Sequence, residues 1–209
     1  MSNIMKIVGM DPSMSNFGLV RAALDIDTMK FTVQSMEVVR TEPEKDKKAR
    51  KQVRKNSEDL DRARLLYCGA IGAIEGASMA FVEVPVGSQS ARAMASYGVC
   101  LGVIAAVAET LPIIQVTPND VKLAGCGIKT ATKGEMIDAM VEKYPDAPWP
   151  RYQQNGKGFK KGDIHAGEAE HLADALAAIE AGLVSDEFRQ TMAVLKSSPL
   201  FKSLMKATA

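Results

Sequence analysis

Asp11, Glu83, His171 and Asp174 are the residues of this chain whose types and settings could do chemistry. Glu83 stands in Phe-Val-Glu-Val-Pro, where a carboxylate is costly to bury unless it is paired or bound to a cation. The other reading of Glu83 is an edge strand that turns it to solvent. Asp11 closes the run Lys-Ile-Val-Gly-Met-Asp ahead of a proline, and Asp-Pro turns are common. His171 and Asp174 are three apart, on neighbouring turns of one helical stripe. That stripe lies beside the Leu172, Leu176 and Ile179 face, so both side chains point along the edge of a core. A satisfied helix histidine is the plain alternative for His171. The weight rests on the combination.

The elements that must position these residues follow from periodicity and punctuation. The segment before Asp11 reads as a short strand, 17–23 as a second and 30–39 as a third, joined by short turns into an antiparallel meander. Leu60, Ala63, Tyr67, Ala70, Ile71 and Ile74 fall at helical spacing and predict a helix over 57–75. Ala80 to Val84 reads as a buried strand, 89–109 as a long helix and 112–116 as another buried strand. The long helix carries Ala91, Ala95, Gly98, Gly102 and Ala105 on one stripe, which suits close packing on the sheet or on a second copy. Thr117 before Pro118, and Thr132 with Glu135, are helix starts with capping hydroxyls. Helices are expected up to Pro145, over 168–181, and around Phe188, Met192 and Leu195. Strands followed by alternating strand and helix imply one mixed sheet flanked by helices.

The 209 residues are 46% hydrophobic and 24% charged, enough for a real core without disulfides. Cys68, Cys100 and Cys126 are scattered and form no C-x-x-C pair, which fits reduced thiols and no zinc site. The first ten residues lack the apolar core of a signal peptide, and the apolar run 98–108 is too short to span a bilayer, so a soluble cytoplasmic protein with no membrane partner is expected. Lysine plus arginine exceed aspartate plus glutamate by only one, 26 against 25. That balance hides a local excess: Lys45, Lys47, Lys48, Arg50, Lys51, Arg54 and Lys55 stand against Asp46 alone. Such a run is either a solvated face or a phosphate-binding element. The stretch 146–167 reads as a Pro/Gly-rich linker with Trp149, Arg151, Tyr152, Lys157, Phe159, Lys160 and Lys161.

In four places, in order, the chain resembles the RuvC-type Holliday junction resolvases of bacteria and bacteriophages. These are Ile-Val-Gly-Met-Asp-Pro-Ser with Asp11, Phe-Val-Glu-Val-Pro with Glu83, the stretch 121–135, and His-Leu-Ala-Asp-Ala-Leu-Ala with His171 and Asp174. The resemblance covers about residues 6–181. It implies an α/β, RNase H-like fold: a mixed five-stranded sheet, antiparallel meander then parallel strands, flanked by helices. It divides the chain into a nuclease domain, 1–183, with a basic insert at 43–56 and a linker insert at 146–167, and a C-terminal helical extension, 184–209.

The same resemblance implies a site. Asp11, Glu83, His171 and Asp174 would hold two Mg²⁺ ions, with Mn²⁺ able to substitute, and Glu170 is the reserve should His171 not ligate. Lys122 and Lys133 would lie near the scissile phosphate, and Lys133 would stabilise the charge that builds there. The implied activity is a metal-dependent endodeoxyribonuclease that cuts four-way junctions or other branched DNA with paired symmetric nicks. A homodimer would supply the two sites, in a bacterial cell or, for a phage protein, in the host cytoplasm. Phosphate contacts are expected from Lys47, Lys48, Arg50, Lys51, Arg54, Lys55, Lys122, Lys133, Arg151, Lys160 and Lys161. Tyr152 and Phe159 would either stack on unpaired bases or anchor their loop. The chain departs from the family at Ser13, where glycine is usual, and at Val86, where the family has its junction-inserting aromatic. Other readings are a branched-DNA-binding protein that does not cut, and an RNase H-like nuclease acting on flaps or hybrids.

Overall fold

The computed structural model describes residues 3–43 and 55–197. Among them run β1 (Ile4–Asp11), β2 (Asn16–Asp25), β3 (Lys30–Arg40), α1 (Lys55–Ile74), β4 (Met79–Glu83), α2 (Ala91–Ala108), β5 (Ile113–Val116), α3 (Pro118–Cys126), α4 (Lys133–Lys143), α5 (Ala166–Leu183) and α6 (Asp186–Ser197). One five-stranded sheet has the order β3-β2-β1-β4-β5. β1 pairs antiparallel with β2, and β2 with β3. β4 lies parallel to both β1 and β5. This is the mixed sheet that the strand-then-alternation pattern implies.

Side chains alternate across a strand, so the sheet builds a separate core on each face. Ile7 of β1, Val20, Ala22 and Leu24 of β2, Met79 and Phe81 of β4 and Ile114 of β5 face α5. Val121 of α3, Met136 and Met140 of α4, and Phe188 and Met192 of α6 join the same core. Val8, Met10, Phe17, Leu19, Ala80 and Val82 face the other way, onto Leu66, Ala70 and Ile74 of α1 and Cys100, Val103, Ile104 and Val107 of α2.

The helix starts form where the capping residues stand. Thr117 closes a capping box with Asp120, and Thr132 closes one with Glu135. Asp120 is a cap partner that sequence reading missed. Two expectations shift. The core stripe of α1 is Arg62, Leu66, Ala70 and Ile74, while Leu60 and Tyr67 are exposed. α1 carries two apolar stripes, and only one meets the sheet. The stretch 146–165 is a folded loop rather than a linker, and residues 166 and 167 already belong to α5. Arg151 bridges Ile164 across it, and the Arg151 guanidinium donates to the carbonyl of Gly162 at 2.8 Å. The Tyr152 and Phe159 rings stack at 3.6 Å, with His165 against Tyr152. Trp149 is buried, and its indole N–H donates to the carbonyl of Tyr144 at 2.9 Å.

α5 is buried along most of its length by small residues, among them Ala169, Ala173, Ala175, Ala177, Ala178 and Ala181. It lies unusually close to the sheet. A Cβ on Gly9 would stand 2.1 Å from the carbonyl oxygen of Ala175, and one on Gly18 would stand 2.2 Å from that of His171. Backbone cannot yield as a flexible side chain does. Gly9→Ala and Gly18→Ala are each expected to cost about 1–3 kcal/mol of stability, measurable by urea unfolding, as overpacking in a closed core does. Gly134→Ala, with open space around its Cβ position, is the control.

Candidate active site

Alternation sends Asp11 to the same face as Ile7 and Gly9, and Glu83 to the same face as Met79 and Phe81. The parallel register pairs Met10 with Val82, so Asp11 and Glu83 follow one step on, side by side at the carboxyl ends of neighbouring strands. β4 runs between β1 and β5, which rules out the edge-strand reading of Glu83. α5 then passes over this edge. Because Gly18 admits the backbone of His171, the imidazole reaches Asp11, and its Nδ1–H donates to Oδ2 at 2.8 Å. Asp174, one turn on, is close enough to raise the pKa of Glu83.

The electrostatics are those of crowded acids. Burial pushes the Glu83 carboxyl up to about 8, and the charges of Asp11 and Asp174 add to this, with Lys122 opposing. Burial likewise pushes Asp174 up to about 7, helped by Asp11 and Glu170 and opposed by His171 and Lys122. Asp11 is raised by its burial, although the hydrogen bond and charge of His171 pull it back. Burial works against a charge on His171, but the Asp11 bond and the surrounding carboxylates outweigh it, so the imidazole holds its proton more tightly than usual.

Such a set fits a divalent cation in its chemistry. The donors are hard carboxylate oxygens, and a cation would relieve the repulsion that raises their pKa values. Among the described residues no three His, Cys, Asp or Glu side chains converge as a ready-made cage. Asp11 is engaged by His171, so binding would require the side chains to turn inward.

Other residues support the edge. Lys133, the first residue of α4, forms an ion pair with Glu170, so Glu170 is already occupied by a cation. Arg40 at the end of β3 pairs with Glu168 of α5 at 2.6 Å. Behind the edge, Arg62 is buried. Its Nε donates to Thr41 Oγ1 at 2.9 Å, and its Nη2 donates to the carbonyl of Met14 at 3.0 Å and to Ser15 Oγ at 3.1 Å. Arg62 thus fixes the β1–β2 turn that follows Asp11. Sequence reading missed it. The available signal was its spacing, four residues before Leu66 and eight before Ala70 on the buried stripe.

The structure brings together Asp11, Glu83, His171 and Asp174, with Lys122 and Lys133 at the rim. Arg151, Lys160 and Lys161 lie on the folded 146–165 loop and are exposed. Tyr152 and Phe159 anchor that loop by stacking on each other, so the base-stacking expectation gives way to the anchoring one. Val86, just past Glu83, is 80% exposed. Lys45, Lys47, Lys48, Arg50, Lys51 and Arg54 lie outside the described residues, as does the side chain of Lys55.

No family model and no curated protein matches the chain. Solved structures do. Thermus thermophilus RuvC in complex with a Holliday junction substrate is similar at 21% identity, over 83% of this chain and 92% of that one, with a TM-score of 0.57. A second structure of Thermus thermophilus RuvC gives the same identity and coverage with a TM-score of 0.55. The yeast mitochondrial Holliday junction resolvase Ydc2 matches at 13% identity, over 90% of this chain and 84% of that one, with a TM-score of 0.49. The fold is RuvC-like, in agreement with the expected RNase H-like architecture.

The raised acids predict a pH dependence. Glu83, with an ordinary value of 4.5, binds its proton up to about pH 8 in the folded protein, so between these limits the native state holds more protons than the unfolded one. Stability must then fall as pH rises through that window. Thermal melts of metal-free protein should show a falling midpoint from about pH 5 to 8, a slope that Glu83→Gln reduces and added Mg²⁺ reverses. A flat profile would show that the carboxylates are not crowded in solution.

Proposed function

We propose that this chain is a structure-selective endonuclease that cuts four-way or otherwise branched DNA by metal-assisted phosphodiester hydrolysis. The observation that carries this reading is the half-buried set of Asp11, Glu83 and Asp174, with His171 on Asp11, at the carboxyl edge of a RuvC-like sheet. Carboxylates crowded against their own repulsion do nothing for stability, and a site for a polyvalent cation gives them a use.

Asp11, Glu83 and Asp174 would hold the ions, Mg²⁺ or Mn²⁺, and the second ring nitrogen of His171 would ligate one or hold a water. When bound, two such ions supply an acidified water and neutralise the departing 3′ oxygen. Water oxygen adds to phosphorus, the P–O3′ bond breaks, and the 3′ oxygen takes a proton. His171 keeps Asp11 oriented through this change. Lys133 and Lys122 add positive charge at the rim, where charge develops on the phosphoryl oxygens.

Cutting opposed strands of a junction takes two sites, and a homodimer provides them. The α1–α2 face supports that assembly. α2 is long and apolar enough by length and composition to cross a membrane, yet one side of it packs on the sheet through Cys100, Val103, Ile104 and Val107. Among the described residues, its small-residue stripe faces outward. Gly98 and Gly102 line a groove of about 580 Å³ with Leu60, Ala63 and Tyr67 of α1. A second copy seated there would cover apolar surface of the kind obligate dimers bury. The exposed bases of the 146–165 loop and the basic run 45–55 would contact phosphate.

On an end-labelled four-way junction in Mg²⁺, the protein should give paired symmetric nicks. Asp11→Asn, Glu83→Gln and Asp174→Asn should abolish them and retain binding. Equal cutting of flaps and linear duplex would replace the junction reading with a broader nuclease, and normal cutting by any of the three variants would overturn the metal assignment. Neutralising Lys160, Lys161 or residues of the basic run should flatten the log–log salt dependence of binding, by about 0.9 for every phosphate no longer neutralised. Sedimentation with and without junction tests the dimer.

A further inference from the structure

Glu170 stands between the site and its rim. It lies on α5 beside His171 and one turn before Asp174, where a fourth ligand could sit, yet its carboxylate takes the ammonium of Lys133. We infer that Glu170 is a positioning residue, holding Lys133 over the acid cluster so that the cation is in place before a phosphodiester arrives. This rests on the nuclease reading of the site.

Lys133 is placed against its own preferences. It occupies the first position of α4, at the positive end of the helix dipole, where a cation is disfavoured. The Thr132–Glu135 capping box fixes that helix end without help from Lys133. Its side chain is 76% exposed, and that of Glu170 only 22%. A four-carbon stem in solvent gains rotamer freedom by swinging out. The Glu170 carboxylate, held on the buried helix α5, opposes that swing. The result is felt within the site. The charge of Lys133 reaches Asp11, and those of Asp11 and Asp174 reach back to Lys133. Glu170 thereby holds the Lys133 ammonium at the point where α4 and α5 each carry a functional group.

A double-mutant cycle separates this role from ligation and from plain stability. At saturating Mg²⁺ and protein, Glu170→Gln should slow single-turnover junction cleavage about tenfold, the scale of a misplaced rather than missing group. In a Lys133→Ala background the same change should cost nothing further. The Mg²⁺ concentration for half-maximal rate should stay unchanged. Independent costs in the two backgrounds, or a Mg²⁺ requirement raised tenfold or more, would overturn the inference, the second by making Glu170 a ligand. Junction affinity in Ca²⁺ gives a readout apart from cleavage: about a threefold loss in Glu170→Gln, absent once Lys133 is alanine. Should the wild type fail to cut in Mg²⁺ or Mn²⁺, the nuclease reading falls, and the Ca²⁺ binding cycle alone decides whether Glu170 positions Lys133.

Discussion

The molecule depends on a close approach of two backbones. α5 can reach His171 over Asp11 only because Gly9 and Gly18 leave no Cβ in its way. Everything functional on α5 inherits its place from that approach. The helix is built to match, with alanines where larger residues would hold it off the sheet. A helix packed on a sheet through ordinary side chains would carry the same His171 and Asp174 farther from β1. The acids would then be solvated and ordinary. The close approach turns four polar residues into one coupled group, and core packing offsets the electrostatic cost of that coupling.

That cost is visible in the protonation of Glu83 and Asp174, pushed up to about 8 and about 7. Repulsion among Asp11, Glu83 and Asp174 would open the edge if nothing opposed it. On one side Arg40 ties the end of β3 to Glu168 of α5. On the other, buried Arg62 gathers Thr41, Met14 and Ser15 and closes the turn behind Asp11. Asp59 extends this network by a bidentate pair with Arg92 at 2.7 and 3.0 Å, which joins α1 to the start of α2. The fixed cations thus stand around the site, outside its centre. The centre is left to carboxyl groups and one imidazole, and its acids hold their protons more readily than exposed ones do.

How much of this was legible in the sequence depends on the range of the interaction. Strand parity was legible: Asp11 with Ile7, and Glu83 with Phe81, share a face by counting. The Thr132–Glu135 capping box was legible because its partners are three residues apart; the Thr117–Asp120 box has the same spacing, but an aspartate stands where the usual glutamate would mark it. The face of α1 was not. Leu60, Ala63 and Tyr67 make as good a stripe as Arg62, Leu66 and Ala70, and only the sheet decides which is covered. The Glu170–Lys133 pair was also hidden, because it depends on how α4 sits against α5. For Tyr152 and Phe159 the sequence leaves base stacking and loop anchoring both open. The loop that brings them together is closed by backbone bonds and a glycine, which carry no periodicity.

The sheet also separates two unlike surfaces. Its α5 face carries a charged, partly solvated edge. Its other face carries α1 and α2, which between them line a largely apolar groove with Leu60, Ala63, Tyr67, Gly98 and Gly102. A dimer interface on the α5 face would cover the acids or their approach. On the α1–α2 face it leaves them open, while β1 and β4 contribute Val8, Met10 and Val82 to one core and Asp11 and Glu83 to the site beyond the other. Alternation along two short strands therefore sets the apolar α1–α2 side of the sheet against the acid-bearing α5 side. A one-residue slip in either strand would exchange them, placing a carboxylate in the α2 core and an apolar side chain in the site.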